Sequence, residues 1–72
     1  MKNNKLLELG HKIRLERMKR DISQEKLAEI ANLSRRALSC IECGVNDPKY
    51  TTLLQIAEAF NMKISDLLDF KM

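Results

Sequence analysis

The chain twice sets a serine between an apolar residue just before it and a leucine four positions after it: Ile22-Ser23 with Leu27, and Leu33-Ser34 with Leu38. A serine hydroxyl in that position accepts a bond from an orphan N–H in the first turn of a helix. The apolar pair on either side staples the approaching chain to the helix and fixes the angle between them. The two starts lie eleven residues apart, with Asn32 between them, a residue type that tolerates a left-handed backbone. Leu27, Ala28 and Ala31 share one face of the first segment. In the second, Leu38 and Ile41 share a face, and Arg35, Arg36, Ser39 and Cys40 lie around the other. Two short capped helices, a three-residue turn and a basic outer face predict a helix-turn-helix over about residues 24–43.

The flanking sequence supplies the rest of an all-α domain. A first helix is expected from about Leu6 to Lys19 or Arg20, with Leu6, Leu9, Ile13 and Met18 on its inward stripe and Asn4 as a cap. Gly10 interrupts it at a cost of about 1 kcal/mol relative to alanine, which the close approach of a second helix would justify. Gly44 suits a left-handed cap after the third helix, and Val45 to Tyr50, with Pro48, reads as a loop. A fourth helix should run from Tyr50 or Thr51 to Phe60, packing Leu53, Ile56, Ala57 and Phe60 inward, with Asn61 as its stop. A short fifth helix near Ile64 to Leu68 would close the core with Ile64 and Leu67, its cap left open between Lys63 and Ser65. The expected domain spans residues 6–69, with tails at 1–5 and 70–72.

Seventy-two residues make at most one domain, and a core this small supplies only about 3–5 kcal/mol. No apolar run is long enough to cross a bilayer and no signal-peptide core opens the chain, so a soluble cytoplasmic protein is expected. The net charge of +3 is unevenly spread. Residues 1–20 set seven cations (Lys2, Lys5, Lys12, Arg14, Arg17, Lys19, Arg20) against Glu8 and Glu16, a net +5, whereas the remainder is net −2. That asymmetry suits one face turned to nucleic acid, or simply a solvated charged helix face. Cys40 and Cys43 form a C-x-x-C pair, but a structural zinc site needs four ligands and the only histidine, His11, is far away in sequence. A redox pair would be expected beside a βαβ pattern, which is lacking; small, partly packed residues are the plainer reading.

These residues together resemble the phage-repressor/Cro (Xre-type) family of DNA-binding domains. The resemblance is carried by Leu9-Gly10, Ile13-Arg14 with Arg17, Ile22-Ser23-Gln24-Glu25 and Leu27-Ala28. It continues through Leu33-Ser34, Leu38-Ser39, Ile41-Glu42, Gly44, Pro48, Leu53, Ile56-Ala57 and Leu67-Leu68. It implies a compact five-helix, lambda-repressor-like fold whose third helix enters the major groove of double-stranded DNA. The implied DNA-binding residues are Ser23, Gln24, Ser34, Arg35, Arg36, Ser39, Cys40 and Lys49, with Asn46, Tyr50 and Thr51 adding backbone contacts from the loop around Lys49. Gln24 would hold a phosphate. At least one of Arg35 and Arg36, Arg35 before Arg36, would read a base, since arginine donates two parallel bonds to guanine O6 and N7, although both could instead grip phosphates. The family also ties its first helix to its third through a pair matching Arg17 and Glu42. It dimerises through its C-terminal end, here Leu68, Phe70 and Met72, although Phe70 and Met72 could instead fold back onto the first helix. Cysteines at 40 and 43 depart from the long polar or basic residues usual there.

A sequence-specific transcriptional regulator is therefore expected, most simply a repressor bound as a homodimer to a pseudo-palindromic operator. The competing reading is a partner-binding module of antitoxin type or a restriction–modification controller protein. No cofactor, metal or small-molecule ligand is implied. Neither a glycine-rich phosphate loop nor a nucleophile–base constellation is present, so no enzyme is expected.

Overall fold

The computed structural model describes residues 4–69. It contains five helices, α1 (Asn4–Lys19), α2 (Gln24–Ile30), α3 (Arg35–Glu42), α4 (Tyr50–Ala59) and α5 (Ile64–Leu67), with no strand among the described residues. α3 packs against α1 and α2, α2 also meets α4, and α5 closes on α4. Asn4 and Lys5 already lie within the first helix, so Asn4 is not a cap outside it.

One corner is used three times. Asp21, Asn32 and Asn61 each take a left-handed backbone, with φ of 55°, 60° and 58°. In each case the N–H of that residue bonds back three positions and the next N–H bonds back five. Asp21 and Ile22 return to Met18 and Arg17, Asn32 and Leu33 to Glu29 and Ala28, Asn61 and Met62 to Glu58 and Ala57. This is the Schellman closure, which satisfies the last carbonyls of a helix. The second residue of each corner, Ile22, Leu33 or Met62, packs on the core, and the third, Ser23, Ser34 or Lys63, is the extended N-cap of the next helix. Five positions beyond the packed residue stands a leucine with no exposure: Leu27, Leu38 and Leu67. The pattern seen twice in the sequence is thus present a third time. At Met62-Lys63 no side chain caps the helix, so the serine signal is missing.

A fourth corner begins in the same way at Gly44 and Val45, which return to Ile41 and Cys40. Here only glycine serves. Its φ is 75°, and a β-carbon would lie 2.7 Å from Leu7 Cδ2 and 3.0 Å from Leu7 Cα on α1.

The core comprises Leu9 and Ile13 of α1, Leu27, Ala28 and Ala31 at α2, Leu38 and Ile41 of α3, Ile56, Ala57 and Phe60 at α4, and Leu67 of α5. Leu53 and Ile64 are partly buried against it, whereas Met18, expected inward, is 62% exposed. Gln55 of α4 donates to the Ala31 carbonyl at 2.9 Å, tying α4 to the corner between α2 and α3. Gly10 faces the end of α3, where a β-carbon would stand 2.6 Å from the Ile41 carbonyl oxygen and nearer still to that of Glu42. The missing side chain is what lets the two helices touch.

A buried acid accounts for much of the charge of α1. Glu16 is 6% exposed. Its carboxylate meets Arg20 Nη1 at 2.7 Å, Lys12 Nζ at 3.1 Å and Lys19 Nζ at 3.4 Å. The same arginine donates to the Phe60 carbonyl at 3.0 Å and lies 4.6 Å from the centroid of the Phe60 ring, pinning the end of α1 to the end of α4. Hydrogen bonding from Arg20, with smaller help from Lys12 and Lys19 and against the opposing cost of burial, lowers the Glu16 carboxyl from about 4.5 to about 2.

Two stability predictions arise from these contacts. Gly10→Ala should lower the unfolding free energy by about 1–3 kcal/mol in urea titration, overpacking outweighing alanine's helical advantage. A Glu16 carboxyl that binds its proton less readily folded than unfolded contributes stability in full above pH 4.5, and that contribution is lost as pH falls toward 2. Its size is up to about 3 kcal/mol, so Glu16→Gln should flatten the acid limb of a stability–pH curve across that window.

Candidate nucleic-acid interface

The two serine caps set the geometry of this face. Ser23 Oγ accepts from the Lys26 N–H at 3.0 Å, and Ser34 Oγ accepts from the Ala37 N–H at 3.0 Å. Each hydroxyl still carries a proton to donate, so capping and a phosphate contact are compatible. The buried stripe Leu38, Ile41 and Glu42 sets the rotation of α3 about its axis. Arg35 and Arg36 are consequently exposed, while Ala37, Ser39 and Cys40 are half-buried beside them. Among the described residues neither arginine meets a carboxylate. Lys49, also exposed, is the N-cap position of α4.

Behind this face lies one carboxylate that joins three helices. Glu42 has a side chain 1% exposed. Arg17 of α1 grips it with both prongs, Nε to Oε2 at 3.0 Å and Nη2 to Oε1 at 3.2 Å, and its third nitrogen donates to the Ile22 carbonyl at 3.1 Å. Gln24, the first residue of α2, donates its amide N–H to Glu42 Oε1 at 3.3 Å. Arg14 Nε stands 3.9 Å from the same oxygen. The Arg17–Glu42 pair suggested by the family resemblance therefore meets in bidentate form. Gln24, expected to hold a phosphate, has one amide N–H turned inward and the other left to meet it.

The charge excess of residues 1–20 finds another explanation here. Lys12, Lys19 and Arg20 face Glu16, and Arg14 and Arg17 face Glu42, so these five cations surround two buried carboxylates rather than forming one outward stripe. Sequence reading missed Glu16, because a glutamate flanked by cations at helical spacing looks like a solvated surface. Cys40 and Cys43 are free thiols, half-buried and exposed respectively, and the described residues hold no cluster of three or more metal-ligating groups. Leu68 is 41% exposed; Phe70 and Met72 lie outside the described residues.

Two capped helices at a three-residue corner, the second turning two arginines outward, define a helix-turn-helix. The chain belongs to the helix-turn-helix family of DNA-binding transcriptional regulators, whose model matches residues 13–67. It is 39% identical over 71 residues to the control protein C.BamHI of Bacillus amyloliquefaciens, covering 97% of this chain and 88% of that one. It is 37% identical over 60 residues to the immunity repressor protein of Bacillus phage phi105, covering 83% of this chain and 42% of that one. Among solved structures, the restriction-modification controller protein C.AhdI of Aeromonas hydrophila superposes with a TM-score of 0.88 at 26% identity, covering 90% of this chain and 98% of that one.

Removing one partner of the buried pair leaves a charge without compensation. Glu42→Ala should therefore lower stability by about 2–4 kcal/mol. A double Arg17→Met/Glu42→Leu variant, measured by chemical denaturation, should recover most of that loss.

Proposed function

We propose that the chain reads a specific double-stranded DNA sequence as a homodimer and regulates transcription from a two-fold symmetric operator, repressing by covering a promoter. The observation that carries this reading is the exposed Arg35-Arg36 pair at the start of α3. A pair of adjacent arginines with no internal carboxylate partner has a reason to be there if guanine edges or phosphates receive them. Ser23, Ser34 and Gln24 then supply backbone contacts that orient α3, Ser39 and Cys40 line the groove one turn further along, and Lys49 meets the flanking phosphates. Leu68, with Phe70 and Met72 beyond it, is the proposed dimer contact. It would set two copies of α3 about 34 Å apart on successive major grooves. No helix among the described residues is long and apolar enough to cross a membrane.

A second reading, a controller of a restriction–modification system, is favoured by one observation. The match to C.BamHI runs over nearly the whole of both chains. The two readings share the DNA-binding site and differ in which genes the operator controls.

Selection of duplexes from a randomised pool at fixed, near-physiological salt should enrich a two-fold symmetric motif. Arg35→Ala should relax preference at one base pair in each half-site at a cost of about 1–3 kcal/mol. Gln24→Ala should weaken all duplexes alike. Folded protein that enriches no motif would remove the DNA-reading function and leave a partner-binding module.

A further inference from the structure

The outward face of α3 carries a pair of thiols. Leu38, Ile41 and Glu42 turn inward, so Arg36, Cys40 and Cys43, the last being the C-cap residue, share the opposite side at helical spacing. Both cysteines are free, Cys40 half-buried and Cys43 exposed. Cys43 also opens onto a depression bordered by Leu7, Glu8, His11 and Arg14, so a small solute reaches its sulfur from the α1 side. Residues three apart on a helix have α-carbons about 5 Å apart, inside the range a disulfide spans. Their β-carbons stand about 5–6 Å apart, whereas a disulfide needs roughly 3.5–4.5 Å. Closing the pair therefore draws in the last turn of α3 by about 1 Å or more. That turn is already tied down. The Cys43 N–H bonds to the Ser39 carbonyl at 3.0 Å, the Val45 N–H returns to the Cys40 carbonyl at 3.1 Å, and Glu42 between the cysteines is gripped by Arg17. A bridge here is strained and exposed, the kind that is readily reduced again.

We infer that Cys40 and Cys43 form a reversible redox switch on the reading face of α3, closed by a peroxide and reopened by a dithiol. The switch rests on the DNA-binding reading above and adds to it a signal that releases the operator. Cys43, the more exposed, reacts first. Its sulfur attacks one oxygen of hydrogen peroxide, the O–O bond breaks, and the departing hydroxide leaves as water with the thiol proton. Cys43 is then a sulfenic acid. The Cys40 sulfur displaces its hydroxyl, which leaves as a second water with the Cys40 proton, and the S–S bond forms. The two thiols give up a pair of electrons and the peroxide takes both. A dithiol reverses the step by exchange and is itself oxidised to its disulfide. The closed bridge moves Cys40 and the end of α3 on the surface that meets the groove, so the oxidised domain stays folded but no longer fits its site. The coupling is reciprocal: a duplex that prefers the reduced form makes the bridge correspondingly harder to form.

The test compares reduced protein with protein treated with equimolar hydrogen peroxide, by mass spectrometry, circular dichroism and affinity for the selected duplex. Oxidised wild type should be a single chain lighter by the hydrogens of both thiols and should keep its helical spectrum. It should bind about tenfold more weakly, the size of one lost base contact. Dithiothreitol should restore both mass and affinity. Cys43→Ser should bind as the reduced wild type does and keep that affinity after the same treatment. In a dithiothreitol redox buffer, the selected duplex should shift wild-type protein toward the dithiol form. A disulfide between two chains, no bridge at all, an oxidised form that binds as tightly as the reduced one, or one that has lost its helices would overturn the switch while leaving operator recognition intact. Failure of the reduced, folded wild type to bind any duplex would instead overturn the DNA-binding reading, and the switch with it.

Discussion

The arrangement depends on one carboxylate taken out of water. Burying Glu42 alone would be prohibitive, and what makes it tolerable is a guanidinium that meets it with two bonds. That requirement has geometric consequences in every direction. α1 must come close enough for Arg17 to reach, which the bare backbone of Gly10 permits. α2 must begin where Gln24 can touch the same oxygen, and the Ser23 cap fixes that start. The third nitrogen of Arg17 closes on the Ile22 carbonyl, so the corner between α1 and α2 is held by the same group. α1, α2 and α3 are thus registered against a single acid group.

The two buried glutamates divide the labour of α1. Glu42 gathers the cations that face α3, and Glu16 gathers those that lead to α4, where Arg20 reaches the Phe60 carbonyl. In a domain this small, such clamps add to a modest apolar core. They also spend much of the basic character of α1 internally, whereas Arg35 and Arg36 at the start of α3 stay exposed and meet no carboxylate among the described residues.

Much of this was legible in the chain. The serine caps, the staples at Leu27 and Leu38, the left-handed Asn32 and Gly44, and the close approach at Gly10 each follow from a local rule that tertiary packing did not override. The Arg17–Glu42 pair was visible only through family resemblance, since nothing local links residues 25 positions apart. Other features were hidden for physical reasons. The third corner lacks a capping side chain, so Met62 and Leu67 carried its signal alone. Gln55 and Arg20 act on distant carbonyls, which leave no trace in sequence periodicity. Gln24 was read as a phosphate ligand alone, because the acceptor that takes its amide comes from the far end of α3. Met18 fell on helical spacing but lies on the outer side of α1.

The left-handed corners bear on how such a protein can change. Helix directions are set by backbone closures and by apolar residues that look inward, and the clamps lie behind the reading surface. Arg35 and Arg36 contribute to none of these. Under the proposed function, exchanging them would alter what the surface recognises while leaving the unfolding equilibrium nearly where it was. On that proposal, new target preferences would be accessible by single substitutions without a compensating change elsewhere, and a duplicated copy of the chain could diverge toward another sequence through a succession of folded intermediates.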